Sequence, residues 1–292
     1  MLKIFITGIN GFIGRNIAAE ALKRGYGVSG LSIDPGIQDG ADITIGDIRK
    51  KEDVERAING ADYVIHLAAI TSNVEFEKDL KRCYDINVNG FVNVLQSAIE
   101  HKCKRFIYAS SAAVYVDEFS EDKVIDFGKQ RNHYAKTKLM NEMIAQSYHD
   151  VYKIDTIGLR YFNVYGKGEN EKGNYASIIT LLMNANKAGK PLEIYGDGKQ
   201  ARDMINVSDV AKITLEIMEK GKHDVYNVGT GDATTYNTIA DAINKDNKRY
   251  VNNPLSSYQY LTKADTGRLK EIIGDYKFRN VKESIETLLK EG

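Results

Sequence analysis

Gly8-Ile9-Asn10-Gly11-Phe12-Ile13-Gly14 is the stretch on which the fold turns. An apolar run, Ile4-Phe5-Ile6, precedes it, and apolar residues at helical spacing, Ile17, Ala18, Ala21 and Leu22, follow it. The order is therefore strand, tight glycine turn, helix. Glycines permit backbone angles closed to other residues and let main-chain N–H groups approach a phosphate, which then sits at the positive end of the following helix. The spacing is G-x-x-G-x-x-G rather than the more familiar G-x-G-x-x-G. Its place at the head of a parallel-sheet pattern still favours a dinucleotide over a purely structural turn.

Working outward, helical periodicity runs to Arg24, Gly25 ends it, and Val28 to Ile33 reads as a second strand. A carboxylate about 20 residues past a dinucleotide glycine motif commonly binds the adenosine ribose. Asp34 is the candidate, although Ser32 lies where the acid is expected and Asp34-Pro35-Gly36 also reads as a plain turn. Thr44 to Gly46 predicts a third strand followed by Asp47-Ile48, Asp53 to Ile58 a helix, and Tyr63 to Ala69 a buried strand. Leu67-Ala68-Ala69 closes that strand with small residues that let a ligand lie near the backbone. Helical patterning from Leu80 to Glu100 carries Asn87, Arg105 to Ser110 is the next strand, Tyr134 to Ser147 a long helix, and Thr156 to Arg160 a further strand. Alternating strands and helices imply an α/β fold, a Rossmann-like doubly wound parallel sheet.

The C-terminal part changes character. Helices near Ala176–Ala188, Val210–Lys220, Thr235–Ile243 and Lys282–Leu289 are separated by longer polar connections. The expected organisation is a dinucleotide-binding domain over 1–165 with a return near 201–228, and a smaller substrate-binding region over 166–200 and 229–292, the two packed over one cleft.

Forty basic and forty acidic residues cancel, which removes the bulk electrostatic case for nucleic acid or a membrane surface. Only Cys83 and Cys103 occur, each within a helical pattern, so the 292 residues are expected to fold in a reducing compartment without disulfides. No leader and no apolar run of spanning length is read, and the expectation is a cytoplasmic protein. The five histidines, His66, His101, His133, His149 and His223, have no metal-ligand spacing.

Tyr134 and Lys138 are four apart at the start of a helix, so they share a face. A phenol near pKa 10 is a poor base at neutral pH, and a neighbouring ammonium favours the phenolate. Ser111 lies just past a strand, at the sheet edge where open α/β folds bind ligands. There its hydroxyl can meet the same substrate oxygen.

Taken together, Gly8/Gly11/Gly14, Ser111-Ala112-Ala113-Val114-Tyr115, Tyr134-x-x-x-Lys138, Arg160-Tyr161-Phe162-Asn163-Val164-Tyr165-Gly166, Tyr195 to Asp203 and Tyr226 to Gly231 resemble the extended short-chain dehydrogenases/reductases that act on nucleotide sugars. The resemblance spans essentially the whole chain. It implies a bound NAD or NADP, a nucleotide-sugar substrate and a homo-oligomer. Asp34 favours NAD, whereas Ser32 and Arg15 leave room for a 2′-phosphate. Catalysis falls to Ser111, Tyr134, Lys138 and Lys172. The cofactor falls to Gly8, Asn10, Gly11, Phe12, Ile13, Gly14, Ser32, Asp34, Asp47, Ile48, Leu67, Ala68, Ala69, Asn87, Ser110, Tyr134, Lys138 and Tyr161. The substrate falls to Ser111, Asn163, Lys172, Ala176, Arg202 and Tyr258, with Arg202 on the diphosphate.

The 4,6-dehydratases of this group carry Asp-Glu where Ala112-Ala113 stands, so elimination of water lacks its proton carriers here. The expected activity is epimerisation by transient oxidation to a keto sugar and hydride return. Glu171 to Ser177 and Tyr258 to Asp265 look most like ADP-glyceromannoheptose 6-epimerases, in which Lys172 would be a second proton-transfer group. Gln200 is more typical of UDP-hexose 4-epimerases. A net keto-sugar reductase is the further alternative.

Overall fold

The computed structural model describes residues 1–36, 39–116, 119–130, 132–253 and 259–291, without the side chain of residue 174. In chain order the elements are β1 (Lys3–Thr7), α1 (Phe12–Lys23), β2 (Gly27–Ser32), β3 (Ala41–Ile45), α2 (Lys51–Ile58), β4 (Tyr63–His66), α3 (Asn73–Lys78), α4 (Leu80–Tyr84), α5 (Gly90–Glu100), β5 (Arg105–Ser111), α6 (His133–Tyr152) and β6 (Asp155–Tyr161). They continue as β7 (Asn163–Tyr165), α7 (Ile178–Lys187), β8 (Leu192–Tyr195), β9 (Ala201–Asn206), α8 (Val207–Lys220), β10 (Asp224–Val228), β11 (Ala233–Thr235), α9 (Tyr236–Asn244), β12 (Lys248–Val251), β13 (Leu261–Thr262), α10 (Gly267–Ile273) and α11 (Val281–Glu291). Two compact units result: Met1–Tyr161 with Ala211–Tyr226, and Phe162–Val210 with Asn227–Gly292.

The first unit is built on a seven-stranded sheet of order β3-β2-β1-β4-β5-β6-β10. The pairs from β3 through β6 are parallel. The order reverses between β1 and β4, and ligands of open α/β sheets bind at the carboxyl ends of the strands flanking such a reversal. Thr7 there pairs with both Leu31 and His66. On α5, Phe91, Val94, Leu95 and Ala98 recur at helical spacing and are fully buried against Phe5, Val64 and Phe106. Full burial of such a side chain contributes roughly 1.5–3 kcal/mol, which fixes this helix to the sheet.

Two expectations in this unit are corrected. The strand expected over Tyr63–Ala69 stops at His66, because Leu67 N donates to the Thr7 carbonyl at 3.2 Å and Ala68 N to Thr7 Oγ1 at 3.3 Å, turning the chain across the end of β1. The helix expected over Leu80–Glu100 is interrupted by a π-helical turn, Asp85–Asn89, that carries Asn87. Single π turns inside α-helices are frequent at functional sites.

In the second unit β9 pairs in parallel with β7 and β13 and antiparallel with β11, while β8 and β12 form a separate parallel pair. The core gathers Tyr165, Ile179, Leu182, Leu192, Ile194, Met204, Ile239 and Ile285. The sequence predicted only helices here, since strands of two to six residues leave little periodicity to read. Residues 201–210, expected to return to the dinucleotide domain, belong to this unit through β9. Among the described residues no helix is long and apolar enough to cross a membrane.

Candidate active site

The glycine turn is packed so that Gly8 and Gly14 are required for different reasons. Gly8 has φ +70°, and a side-chain carbon there would stand 3.0 Å from Ala68 N. A carbon on Gly14 would stand 2.2 Å from the Gly8 carbonyl oxygen, so helix and turn approach more closely than any side chain permits. Gly8 N donates to Leu31 O at 2.8 Å and Gly11 N to Gly8 O at 2.9 Å, which holds the turn closed. Gly11 caps α1 with no side-chain hydrogen bond, and no acidic residue occupies the first turn. Main-chain N–H groups at the positive end of α1 can therefore meet an anion there. This cradle of bare backbone fits a dinucleotide pyrophosphate.

Around the turn, Asn10 Nδ2 donates to the Asp34 carbonyl at 2.8 Å, tying the glycine loop to the end of β2, where Ser32 is buried and Asp34 exposed. Arg15 Nη2 donates to Asn10 O at 3.0 Å. The Asp47 carboxylate is grasped by Arg49, whose hydrogen bonds hold it below its usual range despite partial burial. Ile48 is buried in the core against Gly90. Asn87 is fully buried: Ile70 N donates to its Oδ1 at 2.8 Å, and its Nδ2 donates to Ile70 O at 2.9 Å and to Thr137 Oγ1 at 3.1 Å. It therefore latches the segment after Ala68-Ala69 to α6. The Tyr161 hydroxyl is spent on Thr214 at 2.9 Å, deep in the unit.

Three successive residues of β5 meet three successive turns of α6. Ala109 O accepts from Lys138 Nζ at 2.8 Å, Ser110 Oγ donates to Glu142 Oε1 at 2.5 Å, and Ser111 is hydrogen-bonded to Tyr134. The Ser111 hydroxyl also accepts from Ala113 N at 3.1 Å, which fixes its rotamer. Ser111, Tyr134 and Lys138 are thus brought together as the sequence predicts. The electrostatics differ from the expectation that Lys138 pulls the phenol down: burial holds Tyr134 above the ordinary tyrosine range, and the Ser111 hydrogen bond only partly offsets it. Lys138 Nζ lies 5.6 Å from the Tyr134 ring centre, with its own proton directed to Ala109. Burial pushes the Lys138 ammonium down to about 8, against the opposing charge of Glu142.

In the second unit, Asn163 Nδ2 donates to Asp203 O at 3.0 Å and to Thr262 Oγ1 at 3.1 Å. Arg202 is buried with its guanidinium 5.7 Å from the Tyr236 ring centre, and Ala176 is buried. Lys172 Nζ lies 3.4 Å from Glu169 Oε1. Glu169 is itself buried, accepting from Ser177 N, Ser177 Oγ and Thr180 Oγ1. Tyr258 lies outside the described residues.

Elsewhere, Cys83 and Cys103 are buried free thiols, and burial pushes Cys103 up to about 11, which denies it thiolate chemistry. His149, Asp155 and His223 converge within 4.8 Å, a grouping their sequence separation conceals. There the two imidazoles stack at 3.5 Å and Arg105 takes the Asp155 carboxylate.

Residues 4–229 match the family model of the NAD dependent epimerase/dehydratase family. The chain belongs to that family. Among solved structures, UDP-glucose 4-epimerase from Thermotoga maritima, solved with UDP-glucose, is 26% identical with a TM-score of 0.90, over 99% of this chain and 98% of that one. UDP-N-acetylglucosamine 4-epimerase from Methanobrevibacter ruminantium, in complex with UDP-N-acetylmuramic acid, is 25% identical with a TM-score of 0.88, over 100% of this chain and 99% of that one. MoeE5, solved with UDP-glucose and NAD, is 25% identical with a TM-score of 0.86, over 99% of this chain and 97% of that one. The Rossmann-like fold and the nucleotide-sugar epimerase group to which the sequence motifs point agree with this membership. What the motifs passed over in this member of the family is Glu142, the partner of the motif residue Arg160. The only signal was position, since Glu142 follows Lys138 by four residues on the same helix face.

Proposed function

We propose that the protein is an NAD-dependent epimerase that inverts C4 of a UDP-hexose. The observation that carries this reading is the junction of β5 and α6, where one tyrosine, one serine and one buried lysine converge. The glycine turn and the start of α1 would hold the cofactor pyrophosphate. Bound there, NAD supplies a reversible hydride acceptor. Tyr134 takes the proton of the sugar hydroxyl as the carbinol carbon is oxidised and returns it to the same oxygen after the keto sugar has turned over. Ser111 holds that oxygen by hydrogen bond, and the Lys138 cation offsets the charge of the phenolate. The protein's share is orientation and charge.

A single proton-transfer group suffices for inversion at C4, because the oxygen stays near Tyr134 while the ring presents its other face. Inversion at C6 of a heptose would recruit Lys172, whose ammonium is engaged with the buried Glu169. Ala112-Ala113 offers no acid or base for dehydration. The names of the 4-epimerases among the similar structures support the same choice. For the cofactor, Arg15 directs its guanidinium at the Asn10 carbonyl of its own loop, which favours the unphosphorylated ribose of NAD.

The test is incubation with UDP-galactose, UDP-glucose, UDP-N-acetylglucosamine and an ADP-heptose, with products followed by proton NMR and Tyr134→Phe as the comparison. The expected result is interconversion of one C4 pair, reduced about 10²- to 10⁴-fold in the variant, as befits a lost general base. Turnover of the heptose alone, or full activity of Tyr134→Phe, would overturn the reading.

A further inference from the structure

Glu142 extends the series Tyr134, Lys138, Glu142 along one face of α6, and its side chain is only 11% exposed. Three donors converge on its carboxylate: Ser110 Oγ at 2.5 Å, Arg160 Nε at 2.9 Å and Arg160 Nη2 at 2.7 Å. Arg160 is held in turn by Tyr115, whose hydroxyl accepts from Nη1 at 2.8 Å and whose ring lies 4.8 Å beneath the guanidinium. Ser110 adjoins Ser111 at the end of β5, and Arg160 adjoins Tyr161 at the end of β6. One buried carboxylate thus ties the helix carrying Tyr134 and Lys138 to the two strand ends beside them.

Resting on the proposed epimerase reading, we propose that Glu142 is a positioning residue, whose carboxylate clamps α6 to Ser110 and Arg160 and thereby sets Tyr134 and Lys138 against Ser111. Its charge has a second consequence. The groups facing Lys138 and Glu142 are Tyr134 on α6, His66 on β4, Tyr108 on β5, Arg160 on β6 and Tyr115. Burial keeps His66 neutral and Tyr108 protonated. The Glu142 carboxylate, which Arg160 shares, is the charge that supports the Lys138 ammonium against burial. A buried pair that served only the fold would not lower kcat at constant KM in a variant that stays folded.

The test follows Lys138 by NMR of ¹³Cε-labelled lysine, assigned with Lys138→Met, in the full chain, wild type and Glu142→Gln, and measures kcat and KM for UDP-galactose across pH. The Lys138 midpoint, near 8 in the wild type, is expected to fall by about one unit in Glu142→Gln, as for a lost neighbouring opposite charge. The alkaline limb of kcat should follow it down, with kcat reduced about tenfold or more and KM within about twofold, the signature of lost transition-state positioning. Glu142→Asp, which keeps the charge, should restore the midpoint. Glu142→Gln leaves Arg160 buried without its partner and risks misfolding. The double variant Glu142→Gln/Arg160→Gln removes both charges, whose effects on Lys138 oppose each other, so it is read on kcat and KM alone, with circular dichroism to confirm folding. A folded variant whose Lys138 midpoint and kcat profile stay at wild-type values overturns the proposal. So does a lowered melting temperature with an unmoved alkaline limb. The lysine titration needs no substrate, so it tests the charge that Glu142 places on Lys138 even where inactivity on every UDP-hexose sinks the epimerase reading.

Discussion

Replacing Gly14 by alanine places a methyl carbon 2.2 Å from the Gly8 carbonyl oxygen and 3.0 Å from Gly8 C and Ile9 Cα. All three neighbours are backbone of the turn itself, so no side chain can swing aside and the turn must open by more than 1 Å to reach ordinary van der Waals contact. Overpacking of this kind costs about 1–3 kcal/mol. At roughly 2–4 °C per kcal/mol, the melting temperature of cofactor-free protein should fall by about 2–12 °C. Opening the turn also displaces main-chain donors meant for the pyrophosphate. Loss of one hydrogen bond to a charged group, about 1.5–3 kcal/mol, weakens NAD by about 10- to 100-fold. Gly11→Ala provides the internal scale, because its methyl would meet Gly8 O at 3.1 Å, a contact relieved by a shift of a few tenths of an ångström. Differential scanning fluorimetry of the stripped protein and isothermal titration with NAD measure both effects. If Gly14→Ala melts at the wild-type temperature and binds NAD normally, or destabilises less than Gly11→Ala, the packing account of this turn is wrong.

Two other outcomes follow from the site. Burial pushes His66 down to about 3 from an ordinary 6.5, so the unfolded chain binds the extra proton first; stability is fully present above about 6.5 and declines as pH falls toward 3, by up to about 1.4 kcal/mol per pH unit from this group. Urea titrations at pH 6.5, 5.5 and 4.5 should give a shallower decline in His66→Asn, and equal slopes would refute the assignment. Lys172→Met should leave C4 epimerisation within about threefold of wild type, since loss of a true general acid or base costs about 10²-fold or more; a loss of that size in steady-state rates would restore the two-base, heptose-type mechanism.

The sequence carries the site unevenly. Glycine spacing, the strand–turn–helix order and the Tyr134/Lys138 pair are local patterns, and local patterns are what periodicity and turn chemistry encode. The strand β9 and its partners are not legible, because each gains its strand character from neighbours distant in sequence: Ala233↔Asp203 and Leu261↔Ala201 are pairings across 30 and 60 residues. The π turn at Asp85–Asn89 was equally hidden, since it exists to bring Asn87 to both polar groups of Ile70. Helix spacing alone cannot reveal such a partner. Glu142 was visible as a residue on the right face and invisible as a site, because Ser110 and Arg160 reach it only through the parallel register in which those two residues are paired. The electrostatics lie outside the sequence for a related reason: it gives the proximity of Lys138 to Tyr134 but not the burial that raises the phenol and lowers the amine.

In the proposed reaction one tyrosine and a retained hydride invert a single carbon of a UDP-hexose. Its most direct measurement uses UDP-galactose carrying deuterium at C4, incubated in ordinary water with the protein and catalytic NAD, the product being read by NMR and mass spectrometry. The account predicts UDP-glucose with the deuterium kept at C4 and no stoichiometric NADH, because the hydride leaves and returns within one active site. Deuterium washed out to solvent, or NADH accumulating mole for mole with product, would contradict it.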